Sequence, residues 1–386
     1  MSWPLAVPEG AINILGVMSG TSLDGADGVL VRLEHTPELT WQVLARTSLP
    51  YAEDLRGILT DMVRRQHADL AALCQAHTAV GNHYAQLVTE VQQTHKIDTV
   101  ALSGQTVYHV PTVDASRNWH TLSTLQLGEV SRVSESCSVQ VVYDFRQTDM
   151  AAAGQGAPMV SFADALLYGH ATERRAIHNL GGISNLTYLP AGGDTNGVFA
   201  FDTGPANCLI DDAMQRHFKR DFDEGGQVAR SGQVDEMVLT RWLEHPYFHQ
   251  PLPKTTGREA FYLDAMLALA GEGLSPEDLV ATLTALTVSS VAKAYEQHVL
   301  PKGLERILVA GGGSDNPVIM DGLQKQLPVP VTAFRELGWQ AKDREALAFA
   351  VLGYYALLGK TNTLPQATGA AYPVVAGKFS FPSRAS

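Results

Sequence analysis

The chain has 386 residues, of which 45% are hydrophobic and 18% are charged, with 34 glycines and 19 prolines. This composition excludes a disordered chain, a coiled coil and a collagen-like chain, and at about 150 residues per domain the length predicts two domains. The net charge of −12 argues against a general nucleic-acid binder, because such proteins need a basic face to meet phosphates.

The three cysteines, Cys74, Cys137 and Cys208, lie far apart and form no CxxC pair. This spacing favours a reducing compartment, with no disulfide framework and no zinc site. The first residues lack a basic segment followed by an apolar one, and the longest mostly apolar run, residues 346–358, is too short to span a bilayer. We therefore expect a cytoplasmic protein without membrane or nucleic-acid partners.

The first half of the chain begins with two apolar runs, residues 12–18 and 28–33, on either side of a turn rich in Gly, Ser, Thr and Asp. Apolar runs joined by such a turn are typical of a β-hairpin. Residues 53–95 contain few glycines and no proline, and we predict that they are helical. Apolar runs at 99–103 and 139–143 predict two further strands.

The second half alternates strands and helices in the same way. The predicted helices cover 160–167, 205–219, 276–298 and 343–358, and the predicted strands cover 176–180, 186–189, 198–201 and 306–310. A second set of strands and helices that starts mid-chain indicates two related α/β halves, with a boundary near residue 150.

The turn of residues 20–25 offers backbone N–H groups and hydroxyls to a phosphate. Asp24 could orient Mg²⁺ directly or through water. The turn does not match the P-loop pattern, because no Lys follows the glycine and no helix opens there. An ordinary polar hairpin turn explains the segment equally well, so both interpretations stay open.

A second candidate segment surrounds Asp202, where a predicted strand ends, a glycine turn follows and a helix is predicted from about Pro205. A carboxylate at the C-terminal end of a strand faces the crevice in which α/β proteins bind ligands. The N–H groups of the turn and of the helix N-terminus favour an anion. The competing interpretation makes Asp202 the N-cap of the helix, a common role for Asp.

Two further glycine turns follow predicted strands, at residues 181–182 and 311–313. Glycines at such places let a flat or charged ligand approach the backbone closely. A plain hairpin is the alternative for the first turn, and a flexible turn is the alternative for the second.

The order of these segments, more than any one of them, resembles the sugar kinase, Hsp70 and actin superfamily. That superfamily has an α/β, two-domain actin-like ATPase fold with an interdomain ATP cleft. A more specific resemblance, over about residues 12–373, is to the anhydro-N-acetylmuramic acid kinase family. The motifs that carry this resemblance are residues 18–25, 144–149, 154–158, 179–185, 201–207 and 254–259.

The resemblance implies a kinase that uses ATP, Mg²⁺ and water to open the 1,6-anhydro bridge of anhydro-N-acetylmuramic acid in peptidoglycan recycling, yielding N-acetylmuramic acid 6-phosphate. It also implies a homodimer, an N-terminal domain of residues 1–149 with 370–386, and a C-terminal domain of residues 150–369. Asp202 matches the catalytic base, and no resident metal is implied. By position, the resemblance assigns the nucleotide site to Gly20, Thr21, Ser22, Leu23, Asp24, Gly25, Ala26, Asp27, Gly182, Gly204, Asn207, Gly311, Gly312 and Gly313. It assigns the sugar site to Gln105, Thr106, Asp149 and Glu345.

The chain departs from the family pattern at Ser103, where the family has a histidine. An imidazole that could contact the sugar is replaced by a shorter hydroxyl, so we expect Ser103→His to change KM for the sugar and to leave KM for ATP nearly unchanged. Two rival functions stay open. One is a kinase for another anhydrosugar, such as levoglucosan, and the other is an actin-like ATPase whose output is motion or assembly.

Overall fold

The computed structural model describes residues 10–20, 22–35, 39–193, 195–252, 254–270 and 273–383, and the chain divides into two compact units. Unit 1 comprises the described residues up to Leu167 and from Lys342 onwards, and unit 2 runs from Tyr168 to Ala341. The boundaries expected from the sequence, 149/150 and 369/370, differ from these. Residues on both sides of the expected boundaries belong to unit 1, where Asp164 and Arg344 form a buried ion pair (Oδ2–Nη2 2.5 Å).

Unit 1 is built on a seven-stranded sheet with the order β12–β6–β4–β1–β2–β3, and β5 pairs with β4 outside this path. β1 runs antiparallel to β2 and parallel to β4, and β4 runs parallel to β6. The predicted N-terminal β-hairpin is therefore confirmed. The strands are β1 Ile12–Ser19, β2 Gly25–His35, β3 Leu39–Pro50, β4 Thr99–Val110, β5 Ser123–Leu127, β6 Gln140–Tyr143 and β12 Lys378–Ser380.

Helices cover both faces of this sheet. Successive side chains of a strand point to opposite faces, so both faces of β1 have residues to pack against helices. Leu15 and Val17 of β1 pack into a core with α2, whereas Gly16 faces α12. A Cβ on Gly16 would lie 1.9 Å from the carbonyl oxygen of Ala346, so the close approach of α12 requires glycine there. The helices of unit 1 are α1 Glu53–Arg65, α2 Leu70–Gln92, α3 Ser131–Cys137, α4 Phe145–Ala151, α5 Val160–Tyr168 (whose last residue begins unit 2), α12 Asp343–Leu357 and α13 Pro365–Thr368.

Residues 53–95, which were predicted to be helical, form two helices with a break at residues 66–69. α1 ends before Gln66, which has the left-handed φ of 50°. α2 then begins with a fresh cap, in which the Asp69 side chain accepts a hydrogen bond from the N–H of Ala72 (2.9 Å). An aspartate N-cap is a local signal that favours the start of a new helix, even inside a stretch whose composition is helical throughout.

Unit 2 has a five-stranded sheet with the order β11–β10–β7–β8–β9. β7, β8 and β9 form an antiparallel meander, and β10 and β11 continue parallel to β7. This strand order is that of β6–β4–β1–β2–β3 in unit 1, so the predicted α/β class with two related halves is confirmed. The strands are β7 Arg175–Leu180, β8 Ile183–Leu189, β9 Phe199–Pro205, β10 Arg306–Ala310 and β11 Val331–Ala333.

The helices of unit 2 pack around the fully buried Trp242 and Tyr295 in one apolar core. They are α6 Cys208–Phe218, α7 Gln227–Ser231, α8 Glu236–Leu243, α9 Leu263–Ala270, α10 Pro276–Ala294 and α11 Pro317–Gln326. In the part of the chain that the structure describes, no helix is both long enough and apolar enough to cross a membrane.

Candidate active site

The turn between β1 and β2 is held in a defined shape by its own polar groups. The N–H of Leu23 donates to the Gly20 carbonyl (3.3 Å), and the Ser22 hydroxyl donates to Asp24 Oδ1 (2.7 Å). The N–H of Tyr51 donates to the Asp24 carbonyl (3.0 Å), which ties the turn to the end of β3. Thr21 lies outside the described residues. The described residues of the turn are therefore bonded to one another and to the end of β3, and the Ser22 and Asp24 side chains are exposed.

Gly25, the first residue of β2, is a position that only glycine satisfies. Its φ is 156°, and a Cβ there would lie 2.3 Å from the Leu49 carbonyl oxygen and 2.8 Å from Pro50 Cα. The next two residues of the predicted nucleotide loop belong to the strand itself, with Ala26 opposite Leu49 and Asp27 opposite Ser48 on β3. The shape of the turn therefore depends on close packing between β2 and β3.

The side chain of Gln105 is hydrogen-bonded to this turn. Its side chain is completely buried, and its Nε2 donates to the Gly20 carbonyl (3.0 Å) while its Oε1 accepts from the Tyr51 hydroxyl (3.1 Å). Neighbouring Thr106 accepts a hydrogen bond from Gln126 Nε2 at its hydroxyl (3.2 Å). The Gln105 side chain is thus bonded to the hairpin, and a contact of Gln105 or Thr106 with a sugar stays a prediction.

Ser103 lies at the same junction. Its hydroxyl accepts the N–H of Ser19, the last residue of β1 (3.1 Å), and only 7% of Ser103 is exposed. Beside it is a cavity of about 120 Å³ that Tyr84 and Gln126 also line. The structure therefore connects Ser103 directly to the strand that leads into the predicted phosphate turn.

We expect Ser103→Ala to raise KM for ATP, in contrast to the expectation from sequence alone. The substitution leaves the buried N–H of Ser19 without its acceptor, which typically costs about 1–3 kcal/mol and loosens the base of the turn. Ser103→Thr, which keeps a hydroxyl, is the matched control. The two KM values are measured with the other substrate saturating, and a changed sugar KM with an unchanged ATP KM would return Ser103 to the sugar site.

Asp149, a predicted sugar-site residue, is completely buried. Its Oδ2 accepts the N–H of Gly156 (2.9 Å), and its Oδ1 accepts the hydroxyl of Thr368 (2.8 Å). A Cβ on Gly154 would lie 2.2 Å from the same carboxylate. Asp149 therefore shapes the loop of residues 154–158, and its contact with a sugar stays a prediction.

Glu345 stands exposed in the first turn of α12, directly after two residues whose side chains are buried in ion pairs. Asp343 accepts from Arg46 (2.7 Å), and Arg344 donates to both carboxylate oxygens of Asp164 (2.9 and 2.5 Å). These pairs hold the helix start, while the Glu345 carboxylate stays accessible.

Arg146 is a further cation of unit 1 that the predicted site did not include, although it lies within one of the family motifs. Its Nη1 donates to the Gly156 carbonyl (2.7 Å). Burial lowers the pKa of Arg146, and the charge of Glu345 acts in the opposite direction. The guanidinium of Arg146 and the carboxylate of Glu345 therefore attract each other.

In unit 2, Asp202 lies on β9 beside a β-bulge. Ser184 of β8 pairs with Gly204, and Asn185 pairs with Asp202, so Thr203 is the extra residue of the bulge. The Thr203 hydroxyl donates to Ser184 Oγ (2.6 Å), which fixes the bulge. Bulges next to functional sites re-aim a side chain, and this one orients Asp202.

The carboxylate of Asp202 accepts the N–H of Thr256 at Oδ2 (2.8 Å). Its backbone N–H donates to the Lys254 carbonyl (3.2 Å), and its carbonyl accepts the Tyr247 hydroxyl (2.7 Å). Burial raises the pKa of Asp202 to about 6, and the hydrogen bond from Thr256 acts in the opposite direction. A carboxylate with this pKa is ionised at neutral pH and is a stronger base than an exposed aspartate.

The N-cap interpretation of Asp202 is wrong. α6 begins at Cys208, its N-cap position is Asn207, and no side chain caps it. Asn207 Nδ2 instead donates to the carbonyls of Leu180 and Gly181 (2.9 and 2.7 Å). Asn207 therefore braces the turn between β7 and β8, and its predicted contact with a nucleotide stays a prediction.

The expectation that the N–H groups before α6 bind an anion needs correction. The N–H groups of Ala206 and Cys208 donate to the Gly182 carbonyl (3.0 and 3.1 Å), and that of Asn207 donates to the Gly181 carbonyl (3.0 Å). The N–H groups of Gly181 and Gly182 have no acceptor among the described residues. The N–H groups of Ala206, Asn207 and Cys208 are thus used by the β7–β8 turn, whereas those of Gly181 and Gly182 are open.

The other predicted glycines of unit 2 differ in their surroundings. Gly204 (φ 136°) packs against Phe248, since a Cβ would lie 2.6 Å from its Cε1. Gly311 (φ 85°) and Gly313 lie against residues 179–180, with 2.7 Å from a Cβ to the nearest atoms there. A Cβ on Gly312 would meet nothing within 4 Å, so of these glycines Gly312 faces open space.

A magnesium ion would find few ligands on the protein alone. In the described ranges no three His, Cys, Asp or Glu side chains are grouped to hold a metal. Mg²⁺ is commonly bound through one or two carboxylates together with substrate phosphates and water. The exposed Asp24 fits this mode as a single carboxylate ligand.

The family model and the relatives similar in sequence agree on one family. A family model described as anhydro-N-acetylmuramic acid kinase matches residues 12–382. The anhydro-N-acetylmuramic acid kinase of Caldanaerobacter subterraneus subsp. tengcongensis is 37% identical over 381 residues, covering 95% of this chain and 96% of that protein. That of Bacillus thuringiensis subsp. konkukian is 34% identical over 382 residues, covering 96% and 99%. A solved ROK family glucokinase from Streptomyces griseus, in complex with glucose and AMPPNP, has a TM-score of 0.39 and 12% identity over 88% of this chain and 98% of that chain.

Proposed function

The chain belongs to the anhydro-N-acetylmuramic acid kinase family, and from this premise we propose how its residues perform the reaction. The activity is that of an ATP-dependent kinase acting on anhydro-N-acetylmuramic acid in peptidoglycan recycling. ATP and water open the 1,6-anhydro bridge, and the product is N-acetylmuramate 6-phosphate.

Asp202 is the general base, and its environment is the observation that carries this proposal. The carboxylate has a raised pKa of about 6, and one oxygen, Oδ2, is held by the N–H of Thr256. Oδ1 has no hydrogen-bond partner among the described residues, so it is free to accept a proton from water. The water oxygen then bonds to the anomeric carbon, the bond from that carbon to O6 breaks, and O6 attacks the γ-phosphorus while ADP leaves.

The nucleotide phosphates are bound by backbone groups in this proposal. In unit 1 the hairpin of residues 20–27 offers N–H groups and hydroxyls to a phosphate, and in unit 2 the N–H groups of Gly181 and Gly182 are open to one. Gly312 lets the nucleotide approach the backbone on the adenosine side. Mg²⁺ bound to the phosphates and Asp24 would neutralise charge that develops on them.

The sugar site and the assembly are also proposals. Glu345, with Arg146 nearby, is the sugar-site carboxylate that stands open to a ligand, and Thr106, Gln105 and Asp149 complete the site or support it. The homodimer rests on the family resemblance, and the cytoplasmic location rests on the cysteine spacing.

The deciding experiment measures ATP turnover against a panel of anhydrosugars, with identification of the products. We expect turnover with anhydro-N-acetylmuramic acid and a product phosphorylated at O6. Turnover with levoglucosan alone would favour the other anhydrosugar kinase, and turnover that needs no sugar would favour an actin-like ATPase. The 37% and 34% identity to two anhydro-N-acetylmuramic acid kinases, over 95% and 96% of this chain, favours the first outcome.

A further inference from the structure

The motif of residues 254–259 is part of the family resemblance, but the proposed function uses only the N–H of Thr256 from it. In the structure its first residues run beside β9 and meet Asp202 twice. The N–H of Asp202 donates to the Lys254 carbonyl (3.2 Å), and the N–H of Thr256 donates to Asp202 Oδ2 (2.8 Å). One short segment thus bonds both the backbone and the carboxylate of the same residue.

Both ends of this segment are anchored. Lys254 is 5% exposed, and its ammonium lies 4.9 Å from the centre of the Tyr247 ring, whose hydroxyl donates to the Asp202 carbonyl (2.7 Å). At the other end, the Arg258 guanidinium lies 3.8 Å from the Asp212 carboxylate of α6. The segment is therefore fixed on a side chain that itself contacts Asp202 and on the helix that follows β9.

We propose that residues 254–258 are a positioning segment for Asp202, in which the Thr256 N–H sets the proton affinity of the base and leaves Oδ1 as its reacting oxygen. This inference rests on the proposed role of Asp202 as the base. Thr256 acts through Asp202 and is a positioning residue, and the contribution is made by its backbone, so the side chain at this position is dispensable.

The charged groups around Asp202 leave this N–H as its main stabilising partner. The Tyr247 hydroxyl reaches the Asp202 backbone from the turn before the segment, and the Lys254 ammonium lies over the Tyr247 ring. Burial lowers the pKa of Lys254, and the charge of Lys293 lowers it further. Burial also lowers the pKa of His298, and the charge of Lys254 adds to this effect.

On the α6 side, Arg258 is engaged electrostatically with Asp211 and Asp212. No cation among the described residues forms an ion pair with Asp202. A hydrogen bond to the charged form of a carboxylate lowers its pKa, so removal of the Thr256 N–H raises the pKa of Asp202 further.

The test compares Thr256→Pro, which removes the N–H, with Thr256→Ala, which keeps it. The wild-type enzyme is expected to gain kcat/KM for the sugar as pH rises through about 6, where Asp202 loses its proton. In Thr256→Pro this rise is expected about one pH unit higher, and in Thr256→Ala it stays in place. A folded Thr256→Pro enzyme whose profile matches that of the wild type overturns the proposal.

A second variant serves if Thr256→Pro does not fold, as judged by circular dichroism. Tyr247→Phe removes only the hydroxyl that anchors the Asp202 carbonyl, so the profile is expected to move in the same direction by a smaller amount. Tyr262→Phe, at an exposed tyrosine nearby in sequence, is the matched control. An unmoved Tyr247→Phe profile then counts against the proposal.

Asp202→Asn distinguishes failure of the proposed base from failure of the positioning segment. If Asp202→Asn stays active, the base assignment fails. If it is inactive and the pH profiles of the other variants do not move, only the positioning segment fails.

Discussion

Asp202→Asn is expected to lower sugar-dependent ATP turnover by at least about 10²-fold, the lower range for loss of a general base. The amide keeps the size of the carboxylate and can still accept the N–H of Thr256, so the geometry around β9 is preserved. It cannot take a proton from water. The measurement is steady-state turnover with saturating ATP and sugar, and near wild-type turnover would remove Asp202 from the chemistry.

The same variant has an expected signature in stability, which checks that lost activity is not lost folding. The pKa of Asp202 is raised from 3.8 to about 6 by burial, so between these values the folded state holds a proton that the unfolded state has released. The wild-type free energy of unfolding therefore falls as pH rises through this window. Asp202→Asn carries no such proton and is expected to lose less stability between pH 4 and pH 7. Thermal unfolding at the two pH values measures this, with Asp321→Asn, at an exposed aspartate of α11, as the matched control.

Gly25→Val is expected to weaken ATP binding by about 10- to 100-fold. The new Cβ would meet the Leu49 carbonyl oxygen at 2.3 Å, and valine is disfavoured at a φ of 156°. Overpacking typically costs about 1–3 kcal/mol, and about 1.4 kcal/mol corresponds to a tenfold change in affinity. Since β2 must move away from β3 at the end of the turn, the loss falls on the nucleotide.

Titration calorimetry of ATP checks this prediction, with the sugar KM as the companion measurement. Gly57→Val is the matched control, because Gly57 is exposed on α1 and a Cβ there would meet nothing within 4 Å. Normal nucleotide affinity in a folded Gly25→Val protein would take the β1–β2 turn out of the ATP site.

The sequence by itself determined the elements and their order. Runs of apolar residues next to glycine turns located β1, β2, β7 and β10, because alternation and turn composition are properties of neighbouring residues. The recurrence of strands and helices after mid-chain predicted two related halves, and the shared strand order confirms them. Asp202 was likewise found from its local setting, at the end of an apolar run before a glycine.

Only the tertiary structure decided what these residues contact. Thr256 lies 54 residues from Asp202, and Gln105 lies 85 residues from Gly20, yet each pair is joined by a hydrogen bond. Such partners share no periodicity, since the bond depends on where the sheet and its loops bring the two residues. The same holds for the bulge at Thr203. It also holds for the hydrogen bonds that the N–H groups before α6 donate to the carbonyls of Gly181 and Gly182. Local chemistry identifies the groups, and long-range packing decides which of them are free to act on a substrate.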